Sequence, residues 1–318
     1  MQETKKIKHI RHRGHFTQIP IYLGKFFRMF VYQDDWKVIP MAAVIAGLVA
    51  FVIGKNMFVT MEGTIMGALG LTCICIWNGF FNSIQVVCRE RDVVKREHRS
   101  GMHITSYIAA HMIYQAFICL LQTIVTVGVG VLFKVPMPFE GFITAYFYLD
   151  IAITIFMITY AADMMSLAVS CLARTTTAAM TIMPFMLIFE LLFSGKFFQL
   201  EGFASKLTSL SIAKWGLNCI GAQASYNKLP MVTVWNQIFK FRDVEIMGLK
   251  PLQMFVDEVS SQGKVNDLNL IIGSHSTMPE LELTTQNIYN SWINLGIFAL
   301  VFAALAWIFL KRIDKDKR

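Results

Sequence analysis

The residues of this sequence best suited to specific contacts are charged side chains crowded between two long apolar runs. The stretch from Cys88 to His103 contains five basic and three acidic residues. Their spacing is compatible with a short helix, and Ser100-Gly101 is predicted to form a turn after it. The pattern favours a docking element for a partner, and the alternative is a solvated basic anchor. The candidate docking residues are Arg89, Glu90, Arg91, Arg96, Glu97 and Arg99.

Sequence patterns of catalysis and metal binding do not occur. Every Gly-Lys pair is followed by Phe, Asn or Val, so the G-x-x-x-x-G-K-[ST] loop that binds ATP phosphates is missing. H-E-x-x-H and G-x-S-x-G are missing as well. His98, His103 and His111 are irregularly spaced, and only the first two fall near one predicted membrane surface. We therefore expect no catalytic residue, no metal and no cofactor in this chain.

The composition is that of a membrane protein. Charged residues make up 16% of the chain and hydrophobic residues 55%, against roughly 25% and 45–50% in soluble domains. About 20 apolar helical residues cross a bilayer core. We predict an all-α integral membrane protein with six transmembrane helices. The predicted spans lie near Val38 to Gly54, Gly63 to Val87, Ile104 to Phe133, Phe142 to Ala173, Thr177 to Phe193 and Trp292 to Leu310.

The distribution of basic residues predicts the orientation of these spans. Lys and Arg in short loops mark the cytoplasmic side. The segments that the six-span arrangement places inside contain 19 of the 29 basic residues, and the two short outer loops contain one each. Both termini are therefore predicted on the cytoplasmic side of the plasma membrane, and the charged stretch becomes a cytoplasmic hairpin between the second and third spans.

The segment before the first span is predicted to be an amphipathic helix. Apolar residues from Ile19 to Phe30 recur with helical spacing around Lys25 and Arg28, which is typical of a helix on a membrane surface. A simple anchor is the alternative.

The predicted regions are a basic linker and this helix at 1–37, five spans at 38–193 with the docking helix at 89–101, an extracytoplasmic segment at 194–291 with re-entrant helices, and the last span and basic tail at 292–318.

Three acidic residues lie within the predicted spans, where ionisable groups are costly and often functional. Asp150 and Asp163 are on the fourth span, and Glu190 is near the outer end of the fifth. Two interpretations remain open. These carboxylates either bond to neighbouring helices in a structural role or form a polar relay or gate.

The order of these parts resembles the transmembrane domain of the G subfamily of ABC transporters, the white and pleiotropic drug resistance type. The similarity lies in Glu97-His98-Arg99-Ser100-Gly101 with Ser106-Tyr107, in MPFMLIFELLFSGKFF from Met183 to Phe198, and in SIAKWGLNCIGAQASYN from Ser211 to Asn227. Two departures are that the re-entrant Ser-Pro of that family is missing and that His103 stands where an aromatic residue is common.

The resemblance implies roles for individual residues. Phe16 to Trp36 would be the connecting helix, and Arg89 to Arg99 the coupling helix that rests on an ATPase. Because acids contribute little to topology, we expect Glu97 to contact a basic or amide group of that ATPase. Leu191 and Leu192 would form a hydrophobic outer plug. The residues implied to line a substrate path between two copies are Asn78, Phe81, Asn82, Phe185 and Phe189.

The resemblance also implies a function and partners. The chain would be the permease subunit of an ATP-driven exporter of a hydrophobic or amphipathic substrate, such as a lipid, drug or peptide. ATP and Mg²⁺ would bind a nucleotide-binding domain, on a separate chain or fused upstream. A second permease copy, identical or related, and membrane lipid complete the expected partners, and nucleic acid is not among them. The alternative function is a membrane enzyme or receptor that acts through the extracytoplasmic segment.

Overall fold

The computed structural model describes residues 14–32, 35–195, 202–245 and 248–313. The predicted basic linker from Lys5 to Arg13 and the tail beyond Ile313 lie outside these ranges. The described residues are mostly helical and form no β-strand, and an isolated bridge joins Glu140 and Tyr146. The helices are α1 His15–Tyr32, α2 Val38–Ile53, α3 Met61–Ser83, α4 Val86–Arg89, α5 Arg91–Arg99, α6 Ile104–Leu132, α7 Phe147–Leu172, α8 Thr176–Leu192, α9 Phe203–Leu207, α10 Ile212–Gln223, α11 Thr233–Lys240, α12 Pro251–Ser261, α13 Val265–Ser274 and α14 Thr285–Leu310.

Five helical segments of the described chain are long and apolar enough to cross a membrane, which supports a multi-pass membrane protein. They are Asp35–Ile53, Met61–Arg89, Ile104–Leu132, Phe147–Leu172 and Thr285–Leu310. The predicted fifth span corresponds to α8, an apolar helix of 17 residues. At 1.5 Å per residue α8 is about 25 Å long, which is at the lower limit for crossing. The fifth predicted span, and with it the count of six, therefore stays a prediction.

Two predicted spans begin at different residues in the structure. The fourth was expected to begin at Phe142, but α7 begins at Phe147. Residues 142–144 form a turn because their backbone N–H groups bond to the Asp150 carboxylate. The last span was expected to begin at Trp292, but α14 begins seven residues earlier. The Thr284 hydroxyl accepts a hydrogen bond from the Asn287 N–H and caps that helix.

Helix α7 is the centre of the bundle and packs against α3, α6, α10 and α14. Small residues allow these helices to approach closely. A Cβ atom at Gly79 of α3 would lie 2.4 Å from the Thr159 carbonyl oxygen of α7. A Cβ atom at Gly216 of α10 would lie 2.7 Å from the Ile158 side chain. These two glycines therefore set the spacing of α3 and α10 against α7.

The amphipathic helix α1 forms as predicted, but the centre of its apolar face packs against α6 of the same chain. Phe26 is only 2% exposed. Its ring lies 3.9 Å from the His111 ring and 5.7 Å from the Tyr107 ring, measured between centroids. Phe27 contacts Tyr114 edge to face at 5.7 Å. This position places α1 beside the charged hairpin.

Candidate functional site

The charged hairpin folds into the two short helices α4 and α5, followed by a tight turn. Helix α5 ends at Arg99, and the Ser100 N–H bonds to the carbonyl of Arg96. Gly101 then adopts a φ of 104°, in the left-handed region that glycine enters without steric cost. The turn lies where Ser100-Gly101 predicted it.

One face of α5 is held against α1 by charge. The Lys25 ammonium lies 3.3 Å from a Glu90 carboxylate oxygen and 3.3 Å from a Glu97 carboxylate oxygen. Val94, on the same face, is fully buried. Burial and the neighbouring Glu97 carboxylate raise the pKa of Tyr22 on α1 to about 12. We call Glu90, Val94 and Glu97 the inner face of α5.

Glu97 was predicted to contact a basic or amide group of an ATPase, and that contact stays a prediction. In the structure one of its carboxylate oxygens contacts the basic Lys25 of its own chain. The carboxylate therefore joins α5 to α1. The charge pattern did not reveal this contact, because Lys25 lies 72 positions earlier in the chain.

Two further contacts of α1 fix the turn after α5, and the sequence had not indicated them. The Gln18 amide donates to the Gly101 carbonyl at 3.0 Å and accepts from the His103 N–H at 2.9 Å. The Ser106 hydroxyl donates to the His15 carbonyl at 2.7 Å. The sequence does contain a pattern that indicates these contacts. Gln18, Tyr22 and Lys25 are polar residues at i, i+4 and i+7, so they lie on one face of α1.

Arg91 joins α5 to the central helix of the bundle. Its guanidinium donates to the Cys171 carbonyl at 3.0 Å and to the Ala173 carbonyl at 2.8 Å. These carbonyls belong to the last turn of α7, where helical carbonyls lack partners within the helix. Arg91 was predicted as a docking residue, which stays a prediction; in the structure its guanidinium caps the end of α7.

The opposite side of α5 is exposed. Asp92, Arg96 and Arg99 follow one another at i, i+4 and i+7 and are all exposed. We call these three residues the outer face of α5, and its formal charge is positive. Arg89, at the end of α4, is exposed as well and lies 4.0 Å from Asp35. The outer face is therefore the part of the hairpin that is available to a partner.

The predicted path residues on α3 point in different directions. Asn78 is buried. The Asn82 amide donates to Gln122 at 2.9 Å and accepts from Gln122 at 3.0 Å, so it joins α3 to α6. Phe81 is half-buried against Trp77. A passing molecule could contact Asn78 only by disturbing the core, and Asn82 only by breaking its hydrogen bonds to Gln122. Phe81 is therefore the one of the three with part of its side chain available.

Helix α8 presents an apolar stripe outward. Phe185, Ile188 and Leu192 are exposed and recur at i, i+3 and i+7. Leu191 packs against the core of its own chain, so the two leucines of the predicted plug point in different directions. Phe189 is half-buried, with its ring 4.7 Å from that of Phe193. Of the two predicted plug residues, Leu192 is therefore the exposed one.

Two of the three relay candidates have structural partners. Asp150 is fully buried and accepts the backbone N–H groups of the turn before α7 at 2.8–2.9 Å. One Glu190 oxygen accepts from the Ser211 hydroxyl at 2.7 Å and from the Ala213 N–H at 2.9 Å. Asp150 therefore orders an outer turn, and Glu190 fixes the start of α10.

Asp163 is the third relay candidate and is bonded more weakly. One of its oxygens accepts from the Cys119 thiol at 3.5 Å. Its other oxygen has no hydrogen-bond partner among the described residues. The three carboxylates bond to separate partners. Among the described residues, they therefore do not form one continuous chain of hydrogen bonds.

Comparison with known families gives one match. The family model described as ABC-2 type transporter matches residues 23–220. This range covers more than half of the 318 residues and extends from within α1 to within α10. No curated protein matches this chain.

Proposed function

This chain belongs to the ABC-2 type transporter family, and we propose that it is the permease half of an ATP-driven exporter of the G-subfamily type. Membrane domains of this family typically work with an ATP-binding domain. Because the sequence lacks a phosphate-binding loop, we expect ATP and Mg²⁺ to bind that domain. The outer face of α5 carries the proposal, because its charges are presented outward while its inner face is held to the bundle.

The contacts of α5 support a role in transmitting movement. A partner that displaces α5 pulls on α1 through the carboxylates that hold Lys25. The same displacement acts on α7 through the two carbonyls bound by Arg91. Helix α7 in turn packs against α3, α6, α10 and α14. One docking helix is therefore connected to most of the bundle by directional contacts.

The exposed stripe of α8 supports the proposal of a substrate path between two copies. Helix α8 is an apolar helix whose Phe185, Ile188 and Leu192 face outward. In this proposal the stripes of two permeases face one another, and a hydrophobic or amphipathic substrate moves between them. Both termini and α5 lie on the cytoplasmic side of the plasma membrane. Mass measurement in nanodiscs tests the assembly, and monomers that retain full transport would contradict it.

The docking role of the outer face is tested by charge reversal. We expect Arg96→Glu/Arg99→Glu to weaken the association with a co-expressed ATP-binding domain about five- to hundredfold, since close interfacial charge pairs contribute about 1–3 kcal/mol or more. The loss should be larger at low salt than at high salt. Co-purification and ATP hydrolysis in proteoliposomes measure the effect.

A matched control separates docking from a change of net charge. Lys311→Glu/Arg312→Glu makes the same charge change at exposed residues after α14. Insertion, association and ATP hydrolysis should remain near wild type in this control. If both double variants weaken association equally, the outer face has no specific docking role, and the charged hairpin acts as a basic anchor.

A further inference from the structure

A pocket of about 410 Å³ opens beside the end of α10 and the start of α14, which is within the roughly 300–1,000 Å³ of small-ligand sites. Two short 3-10 turns contribute to its walls, Tyr226–Lys228 and Pro279–Leu281. The nearby Pro230 carbonyl accepts the N–H of Met61 at the start of α3, whereas the charged hairpin follows the other end of that helix. The pocket therefore lies at the opposite end of the bundle from α5, and no residue of α8 lines it.

Side-chain amides hold the walls of this pocket in place. The Asn227 amide donates to the Met278 carbonyl at 2.9 Å and accepts from the Met278 N–H at 2.9 Å, so it joins the two walls. The Asn287 amide donates to the carbonyls of Pro279 and Glu282, each at 3.0 Å, and fixes the loop before α14. Because the walls are already ordered, a ligand that enters the pocket has little loop ordering to offset.

Two opposite charges line this pocket without a partner. Lys228 and Glu282 are both exposed, so solvent and ligands can reach them. Neither side chain forms an ion pair or a hydrogen bond with another described residue, and the two do not contact each other. The adjacent Glu280 differs, because its carboxylate lies 3.9 Å from the Lys214 ammonium. The pocket thus presents one ammonium and one carboxylate that are both available to a ligand.

These two charges select the ligand. A simple anion is attracted by Lys228 but repelled by Glu282, and the reverse holds for a simple cation. A molecule that carries both charges gains both attractions. Ser225 and Thr277 add hydroxyl groups to the lining, which can donate to an anionic group, and Leu283 adds an apolar edge. The lining therefore suits a small molecule with an ammonium, an anionic group and a short linker between them.

We propose that this pocket binds a compact zwitterion, with Lys228 on its phosphate or carboxylate group and Glu282 on its ammonium. The site is complete in one chain, so it needs neither a second copy nor an ATP-binding domain. The same chemistry occurs in free solutes and in the headgroup of phosphatidylethanolamine. Both sources can reach the pocket, because it lies beside the first residues of α14, a helix long enough to cross a membrane.

Saturation-transfer NMR tests this site on the full chain in dodecyl maltoside, a detergent with an uncharged head, at low salt. The probe is glycerophosphoethanolamine, and glycerol 3-phosphate and ethanolamine are comparisons that carry charge of one sign. We expect the probe to bind about threefold or more tightly than either comparison. Lys228→Met and Glu282→Gln should each weaken its binding about two- to fivefold, which is the effect of losing one exposed charge pair.

Exchanging the two charges separates binding of a zwitterion from a general effect of charge. The double variant Lys228→Glu/Glu282→Lys offers the same two charges in reversed places, and a compact zwitterion can turn round. It should therefore bind the probe about twofold or more tightly than either single variant. Lys264→Met/Asp267→Asn removes two exposed charges of the same segment that do not line the pocket, and it should leave binding unchanged.

The outcomes decide the proposal and the source of the ligand. No detectable binding of the probe, equal binding of glycerol 3-phosphate, or a charge-exchanged variant no better than the single variants would overturn the proposal. Given binding of the probe, competition by dihexanoyl phosphatidylethanolamine assigns the site to a lipid headgroup, and failure of that lipid to compete assigns it to a free solute. Transport is not measured, so failure here leaves the exporter proposal standing.

Discussion

Replacing Lys25 with Met removes the ammonium that holds two carboxylates of the charged hairpin and keeps most of the side-chain length. Both oxygens lie 3.3 Å from the Lys25 nitrogen, and the side chains of Lys25, Glu90 and Glu97 are 28%, 16% and 30% exposed. Exposed pairs contribute about 0.2–1 kcal/mol, and breaking a buried pair costs about 3–5 kcal/mol. For these partly exposed pairs we expect Lys25→Met to cost about 1–2 kcal/mol of local stability.

Glu97→Gln should cost about half as much, because Lys25 then still contacts Glu90. In the double variant the two losses should overlap, with a coupling energy of about 0.5–1 kcal/mol. Hydrogen exchange followed by mass spectrometry measures this locally, because amides of α5 exchange when α5 separates from α1. A loss of 1–2 kcal/mol corresponds to roughly five- to thirtyfold faster exchange.

Arg28→Met is the matched control, since Arg28 is also a basic residue of α1 but is exposed and bonds to the Gly24 carbonyl. It should leave exchange of α5 unchanged. Fully additive effects of Lys25→Met and Glu97→Gln would refute the contact between Lys25 and Glu97. Glu97 would then be available to a partner, as its sequence context first suggested.

Three other substitutions test the bundle and the proposed path. Leu192→Ala should raise basal ATP turnover or leak in proteoliposomes, because a smaller side chain lets water enter an apolar constriction more easily. Leu191→Ala should mainly lower thermal stability. Equal leak in both variants would contradict the outward position of Leu192. Gly79→Val should abolish the folded protein, measured as detergent-stable monodisperse yield, since its Cβ would lie 2.4 Å from a carbonyl oxygen; near-normal yield would show that α3 and α7 are not in close contact. Glu190→Ala should increase hydrogen exchange at the start of α10 by roughly tenfold or more, because Ser211 and Ala213 lose their acceptor; Glu190→Gln, which keeps an acceptor, should have the smaller effect.

The general architecture could be predicted from the sequence because it depends on local properties. Apolar length fixed the positions of the long helices to within a few residues for α2, α6 and α8, and the Ser100-Gly101 turn marked the end of α5. The start of α7 could not be predicted in the same way. Residues 142–146 are apolar enough to continue a span, and they stay outside the helix because the buried Asp150 carboxylate binds the N–H groups of residues 142–144.

The two sides of α5 were not predictable, because they depend on contacts between residues distant in sequence. Its charged residues all look suited to solvent, and the separation into inner and outer faces depends on Lys25 and on the carbonyls that end α7. A cavity of about 250 Å³ beside His111 is a stronger case, since its lining residues come from six helices, α1, α2, α3, α4, α6 and α8. A single histidine in an apolar run gives no sign that both of its nitrogens lack partners.

Helix α1 links α5 to α6. Phe26, which stacks on His111, is the residue directly after Lys25, which holds α5. Both residues lie after Pro20 in the same stretch of α1, and neighbouring residues of one hydrogen-bonded helical turn move together. A displacement of α5 that Lys25 follows must therefore shift Phe26 relative to the imidazole. In the proposed exporter, a partner that docks on α5 would therefore also act on the packing of α1 against α6 at Phe26.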